Sequence, residues 1–144
     1  MPGRYCYDYP RPALAADTIV VSDGGSVLLV RRKHEPFKGH WAIPGGFVEI
    51  DEPLEHAARR ELEEETGLTG VELTQLRTFG TPGRDPRGRT VSVVFLATVK
   101  GRPGPQAGSD AAEARWFPLD ALPPVAFDHA EVIAVAREAL GPRP

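Results

Sequence analysis

Two apolar runs open the patterned part of the chain. Residues 17–32, DTIVVSDGGSVLLVRR, read as β-branched strands broken by SDGGS, and the Asp-Gly signal between them predicts a hairpin. A loop, KHEPFKGHWAIPGG, follows and contains a short apolar piece, Trp41 to Ile43. From Pro53 to about Thr66 the apolar positions take helical spacing, with Pro53 suited to the first turn and Gly67 to a C-terminal cap. A strand is expected in VELTQLRTFG, a turn-rich loop in TPGRDPRGR, and the clearest buried strand in TVSVVFLATV. KGRPGPQAGSD predicts a mobile loop and EARWFPL a short strand. The last pattern, FDHAEVIAVAREALG, is an amphipathic helix, with Asp128 and Glu131 at capping-box spacing and Gly141 at its far end. Strands and helices mix without regular alternation, which predicts an α/β sandwich and not a doubly wound sheet.

The first helix poses a question of charge. Within RRELEEETGL, residues 59–68, four glutamates crowd together, and like charges three or four positions apart repel. At about 100° per residue, Glu61, Glu64 and Glu65 project onto the broad arc that also carries Leu54, Ala57, Ala58 and Leu62. Glu55, His56, Arg59 and Glu63 fall opposite, with Arg60 at the edge. A solvated acidic face would point away from the leucines and alanines, and only Glu55 and Glu63 do so. Carboxylates on a docking face destabilise the fold or take up protons unless a cation neutralises them. Oxygen donors alone favour a hard ion, Mg²⁺ or Mn²⁺.

Composition narrows the rest. A chain of 144 residues suits a single domain, residues 1–144, with residues 1–14 as an N-terminal arm. A formal net charge of −3 gives no basic excess for general nucleic-acid binding. No apolar run is long enough to cross a bilayer, and the first residues lack the apolar centre of a signal peptide, so a cytoplasmic location and no membrane partner are expected. Cys6 is the one cysteine, so no intrachain disulfide or cysteine-zinc cluster can form. His34, His40, His56 and His129 show no metal-ligand spacing; His56 falls on the helix's outer face, and His129 follows the Asp128 cap.

Residues 45–68, GGFVEIDEPLEHAARRELEEETGL, resemble the Nudix box, G-x5-E-x7-R-E-U-x-E-E-x-G-U with U a bulky aliphatic residue. Every defined position is filled, by Gly46, Glu52, Arg60, Glu61, Leu62, Glu64, Glu65, Gly67 and Leu68. The resemblance implies a Nudix-type α/β/α sandwich with a mixed β-sheet, and a hydrolase that cuts the diphosphate linkage of nucleoside diphosphate derivatives. It implies further that Glu61, Glu64 and Glu65 hold divalent ions, with a backbone carbonyl near Gly45 or Gly46. Glu52 would complete the metal shell and Arg60 would orient a glutamate. The general base differs within this family, so Glu61, Glu64 and a residue outside the box stay open, Asp110 and Glu113 among them.

Residues 78–97, TFGTPGRDPRGRTVSVVFLA, resemble a segment of bacterial ADP-ribose pyrophosphatases and of Nudix domains linked to NAD metabolism. The expected reaction is Mg²⁺-dependent hydrolysis of ADP-ribose, with Mn²⁺ as a substitute, to AMP and ribose 5-phosphate. Arg84 has the bidentate geometry for phosphate or ribose oxygens. Asp85 suits a ribose hydroxyl or a cap on the turn at Pro86, while Arg87 and Arg89 divide evenly between contact and solvent. Alternation turns one of Arg31 and Arg32 inward, and Arg32 is the ligand candidate. Phe37 and Trp41 are candidates to stack on adenine, with core packing the stronger expectation for Trp41. Two alternatives remain: another nucleotide substrate, and a domain that senses ADP-ribose without cutting it. Sensing regulators typically carry a DNA-binding domain, and after Asp128 there is room for one helix only. The resemblance also raises a homodimer, packed through Tyr5, Tyr7 and Tyr9 of the arm.

Overall fold

The computed structural model of the protein describes residues 4–105 and 111–141, the side chain of residue 112 excepted. The apolar runs become the strands β1 (Ala13–Ser22) and β2 (Ser26–Arg32), turning through residues 23–25 with the Gly25 N–H donating to the Ser22 carbonyl at 3.0 Å. Two short strands, β3 (Trp41–Ala42) and β4 (Gly45–Phe47), lie in the stretch that reads as a loop. They owe their conformation to partners: Trp41 and Ala42 pair with Arg31 and Val30, and Gly45 to Phe47 pair with Asp17 to Ala15. Helix α1 (Leu54–Thr66) ends on Gly67 in the left-handed conformation, φ 73°, as the glycine predicts. Pro53 stands just before the helix with extended backbone, ψ 148°, and not within its first turn. Then come β5 (Thr74–Phe79), β6 (Thr90–Val99), β7 (Ala111–Pro118) and α2 (His129–Leu140). Strand β7 starts two residues before the predicted EARWFPL. The loop of residues 100–110 lies partly outside the described residues, and Asp110 wholly so.

The strands form one mixed sheet in the order β3-β2-β1-β6-β5, with β7 on β2 and β4 on β1; β1 and β6 run parallel. Side-chain alternation sorts the core into two layers. Ala16 and Val20 of β1, Leu28 of β2, and Val93, Phe95 and Ala97 of β6 meet Ala57, Ala58 and Leu62 of α1. Ile19, Val21, Val27, Leu29 and Val94 turn the other way, onto Val132, Ile133 and Ala136 of α2. The result is a helix on each face of the sheet, an α/β/α sandwich.

One defect in the sheet makes room for a site. The β1–β2 ladder is registered at Val21 and Val27, beside the hairpin turn. Farther along, β4 takes over the same edge of β1 at Asp17 while β2 continues to β3. A cleft opens where the strands part.

Candidate active site

The cleft has a volume of about 310 Å³ and brings together residues from β1, β2, β4, α1, the loop before β6, and the entry to α2. Its acidic end is built by α1. Glu61 and Glu65 line it, one helical turn apart, and Asp17 faces them from β1. Burial, the charge of Glu61 and that of Asp17 push the Glu65 carboxyl up to about 9. Burial raises Asp17 to about 7 against the hydrogen bond from Ser92, and raises Glu61 against the pull of Arg60. The two glycines before them leave room: a Cβ on Gly46 would stand 2.5 Å from the Glu61 carboxyl carbon, and one on Gly45 1.8 Å from Asp17 Oδ1.

Arg60 is the cation of this end. Its Nε and Nη2 donate to the two oxygens of Glu52 at 2.6 and 2.8 Å, and Nη2 also reaches the Phe47 carbonyl at 3.2 Å. Nη1 donates to Glu61 at 2.8 Å and to Glu64 at 3.4 Å. The bonds from Arg60 hold Glu52 down to about 2. Glu52 and Arg60 thus brace Glu61 from outside the cleft. Glu64, expected beside Glu61 and Glu65, is not on the cleft wall, and its side chain is 50% exposed. The helix explains the difference between neighbours: Glu64 and Glu65 point about 100° apart, and the buried arc is centred on Ala58, Leu62 and Thr66, on the Glu65 side.

Arginines line the rest of the wall, most of them already matched. Arg84 donates from Nε and Nη2 to both oxygens of Asp128, at 2.9 and 2.8 Å, and from Nη1 to Ser92 Oγ at 2.8 Å. That pairing corrects the expected cap on α2. Asp128 occupies the position before the helix but makes no side-chain cap bond, because both its oxygens serve Arg84. Asp85 takes the second of its two predicted roles: its carboxylate accepts from the backbone N–H of Arg87 at 2.9 Å, closing the turn, and from the Arg87 side chain at 2.8 Å. Arg87 lies over Phe47 and Phe127, 5.2 and 5.3 Å from the ring centroids.

Arg32 is the inward member of its pair. Its Nε donates to the Pro36 carbonyl at 2.7 Å and its guanidinium sits 5.0 Å from the Phe127 ring centroid. Burial first, then the nearby Arg87 charge, lowers its pKa. Arg31 turns out toward Glu113, 3.6 Å away, which also accepts from Arg115. Phe37 is not on the cleft wall; it packs edge-on against Phe127 at 5.0 Å and so supports a ring that is. Trp41 is core, 4.6 Å from Phe117, and Arg89 is exposed.

Asp17, Phe47, Ser92 and Phe127 line the cleft without having been singled out as site candidates from the sequence, and His129 was placed there only as the residue after a cap. Asp17 sits inside an apolar strand run, where the one signal was a carboxylate among ALAA and TIVV. Phe127 has backbone φ 53°, which a sequence pattern does not reveal. His129 is buried; its Nδ1 accepts the Ile43 N–H at 3.0 Å, and burial lowers its pKa to about 4.

The acidic end fits a divalent cation by the chemistry of its donors: two desolvated carboxylates that repel each other, a third facing them, and a glycine backbone in van der Waals reach. Among the described residues, no three acidic, His or Cys side chains already stand in ligand positions. Glu64 is tied to this end through Arg60, whose Nη1 it shares with Glu61.

Known proteins share this design. The family model for the NUDIX domain matches residues 11–136. The ADP-ribose pyrophosphatase of Methanocaldococcus jannaschii is 47% identical over 125 residues, which cover 87% of this chain and 73% of that protein. The ADPR responsive transcriptional repressor NtrR of Acinetobacter baylyi is 36% identical over 136 residues, 90% of this chain, which spans only 54% of the repressor. Among solved structures, the NUDIX domain of Shewanella oneidensis NrtR complexed with ADP ribose superposes with a TM-score of 0.84 at 34% identity, covering 93% of this chain and 94% of that one. With its glutamate helix, its two glycines and its sandwich matched over nearly the whole length, the chain belongs to the NUDIX family, whose cofactor is a divalent metal ion.

Proposed function

We propose that this chain hydrolyses the diphosphate bond of ADP-ribose to AMP and ribose 5-phosphate, with Mg²⁺ as its metal and Mn²⁺ as a substitute. The observation that carries the reading is one cleft with an acidic end that Arg60 neutralises only in part and an arginine-lined end, which suits a substrate of anionic diphosphate and polar sugar. The 47% identity to an ADP-ribose pyrophosphatase supports the substrate.

Glu61, Glu65 and a carbonyl at Gly45 or Gly46 would hold the ion, with Glu64 turning in from outside the cleft wall. When bound, the ion supplies charge neutralisation at the diphosphate and acidifies water. The chain does the rest. Arg60, fixed by Glu52 and the Phe47 carbonyl, orients Glu61. Glu61 or Glu64 accepts the proton of the attacking water. Arg32 meets phosphate oxygens, since its Nε is anchored on the Pro36 carbonyl and the residue lines the cleft. Phe47 and Phe127 line the cleft as aromatic partners for adenine once the Arg87 side chain that lies over both rings moves aside. A homodimer through the arm is part of the same reading, because Tyr5, Tyr7 and Tyr9 are 59%, 45% and 80% exposed; a monomeric mass by light scattering, unchanged on deleting residues 1–12, overturns it.

The test is to incubate the protein and its Glu64→Gln variant with ADP-ribose and Mg²⁺ and separate the nucleotides by chromatography. Wild type yields AMP, and the variant is slower by roughly 10²-fold or more. Equal rates remove the glutamate face from the chemistry. The similarity to a repressor favours a second reading, ADP-ribose binding without cleavage; stoichiometric binding with no AMP from wild type establishes it.

A further inference from the structure

Arg84 lines the cleft, and its guanidinium has the chemistry to grip a phosphate, yet its side chain is only 6% exposed. Every one of its three nitrogens is committed, two to Asp128 and one to Ser92. What lies beyond Ser92 gives the arrangement its direction. An arginine can only donate, so the Ser92 oxygen accepts from Nη1 and its own proton is left to donate elsewhere. The Asp17 carboxyl receives it. Asp17 in turn lies against Gly45, its register partner in the sheet, closely enough that a Cβ there would fall 1.8 Å from Oδ1. The Gly45 N–H donates to Glu65. Hydrogen bonds therefore run from the entry of α2 through Ser92 of β6 to Asp17 of β1, and Asp17 packs directly against the Gly45 backbone that faces Glu65.

We propose that Asp128, Arg84 and Ser92 are positioning residues for the acidic end of the cleft, acting through Asp17 on the Gly45 backbone and so on Glu65. Arg84 then sets metal binding and not substrate affinity, and the Asp128 carboxylate is withheld from capping α2 in order to hold Arg84. The inference rests on the metal-dependent reading above.

The test uses the full-length protein and Mn²⁺ alone, followed by calorimetric titration, with ADP-ribose kinetics measured separately at saturating Mn²⁺. Ser92→Ala is the decisive variant, because it cuts this run of hydrogen bonds while leaving the Arg84–Asp128 pair intact. Weakening of Mn²⁺ binding by roughly 10- to 100-fold is expected, the loss typical when a group behind a metal ligand is removed. The KM for ADP-ribose at saturating Mn²⁺ stays at the wild-type value. Asp128→Asn, which keeps the shape and weakens the hold on Arg84, should show the same split to a smaller degree, and it serves if Ser92→Ala does not fold. Wild-type Mn²⁺ binding in a folded variant overturns the proposal. A raised KM with unchanged Mn²⁺ binding overturns it too and returns Arg84 to the substrate. If the wild-type protein itself binds no Mn²⁺, the metal-dependent reading falls first and this one with it.

Discussion

At the acidic end of the cleft Glu61 and Glu65 lie beside Asp17, and of these three Arg60 bonds Glu61; at the arginine-lined end, Arg84 and Arg87 each have a carboxylate of their own. Both ends carry charge out of water, but they resolve the cost differently. Paired charges with their hydrogen bonds filled are stable as they stand, and so serve as scaffold. Crowded carboxylates answer by holding protons until a cation arrives, which is the behaviour of a binding site. The difference teaches that charge alone does not mark function in this molecule. Arg32, whose Nε bonds a carbonyl and not a carboxylate, is better placed to meet a ligand than the two arginines of the richer motif.

The sharpest way to break this comparison is to add one carbon at the acidic end. Gly46→Ala places a Cβ against the Glu61 carboxyl, the movable tip of a side chain, so the fold tolerates it while the carboxylate is displaced. Displacement of about 1 Å costs roughly 10²-fold in rate, and the melting temperature should hardly change. Gly45→Ala is the contrast. Its Cβ would lie 2.7 Å from the Asp17 Cα, which is backbone and cannot swing away, so this variant should lose stability, by about 1–3 kcal/mol. Equal losses of stability in the pair would show that both glycines serve only the fold.

A second effect separates the ends by metal. At Mg²⁺ about a hundred times its dissociation constant, binding adds about 2.7 kcal/mol of stability, several degrees in Tm for a chain of this size. Glu65→Gln should lose that increment while melting no lower than wild type in chelator, since it removes a carboxylate that burial and its neighbours already disfavour. A variant that melts lower in chelator would mean the Glu65 charge stabilises the apo fold, contrary to the contrast drawn here.

How far the chain declared this in advance depends on the range of the forces involved. The limits of α1 and β6 follow from local pattern, because a helix period and a ten-residue apolar run carry their own signal. The glutamate face was legible for Glu61 and Glu65 and overstated for Glu64, since a wheel cannot say where the centre of the buried arc lies. Strands β3 and β4 were not legible: at two and three residues they exist only through pairing with β2 and β1. Asp128 was misread for the same reason, its partner Arg84 being 44 residues away. Local propensity favours a cap, and a long-range ion pair overrides it.

A smaller effect comes from His129, whose Nδ1 accepts the Ile43 N–H. Its folded pKa, about 4, lies below the usual value of 6.5. Between these values the unfolded chain binds more protons, so stability falls as pH drops from 6.5 toward 4, by up to about 1.4 kcal/mol per pH unit. Asp128 and Asp85 oppose the depression while Arg84 and Arg32 deepen it. Other carboxylates titrate in the same window, so the quantity to measure is the difference in urea stability between wild type and His129→Gln. That difference should close as pH falls; a constant gap would show that His129 does not titrate with folding.

The smallest effect is expected from the neighbour that shares the sequence of the acidic cluster but not its place. Glu63 follows Leu62 by one residue, about 100° around the helix, and this carries its side chain to the exposed face. It takes part in the fold through its backbone, the carbonyl accepting the Gly67 N–H at 2.8 Å in the cap. Glu63→Gln should therefore change stability by no more than about 0.5 kcal/mol and leave the rate of ADP-ribose hydrolysis unchanged, while Glu64→Gln, beside it, slows the reaction. The substitutions remove the same charge from the same helix, so net charge and helix propensity are matched, and what differs is direction and the contact of Glu64 with Arg60. If Glu63→Gln slowed hydrolysis as much as Glu64→Gln, the summed negative field of the helix would be what the reaction uses. The division of its glutamates into a cleft face and a solvent face would then have no functional content.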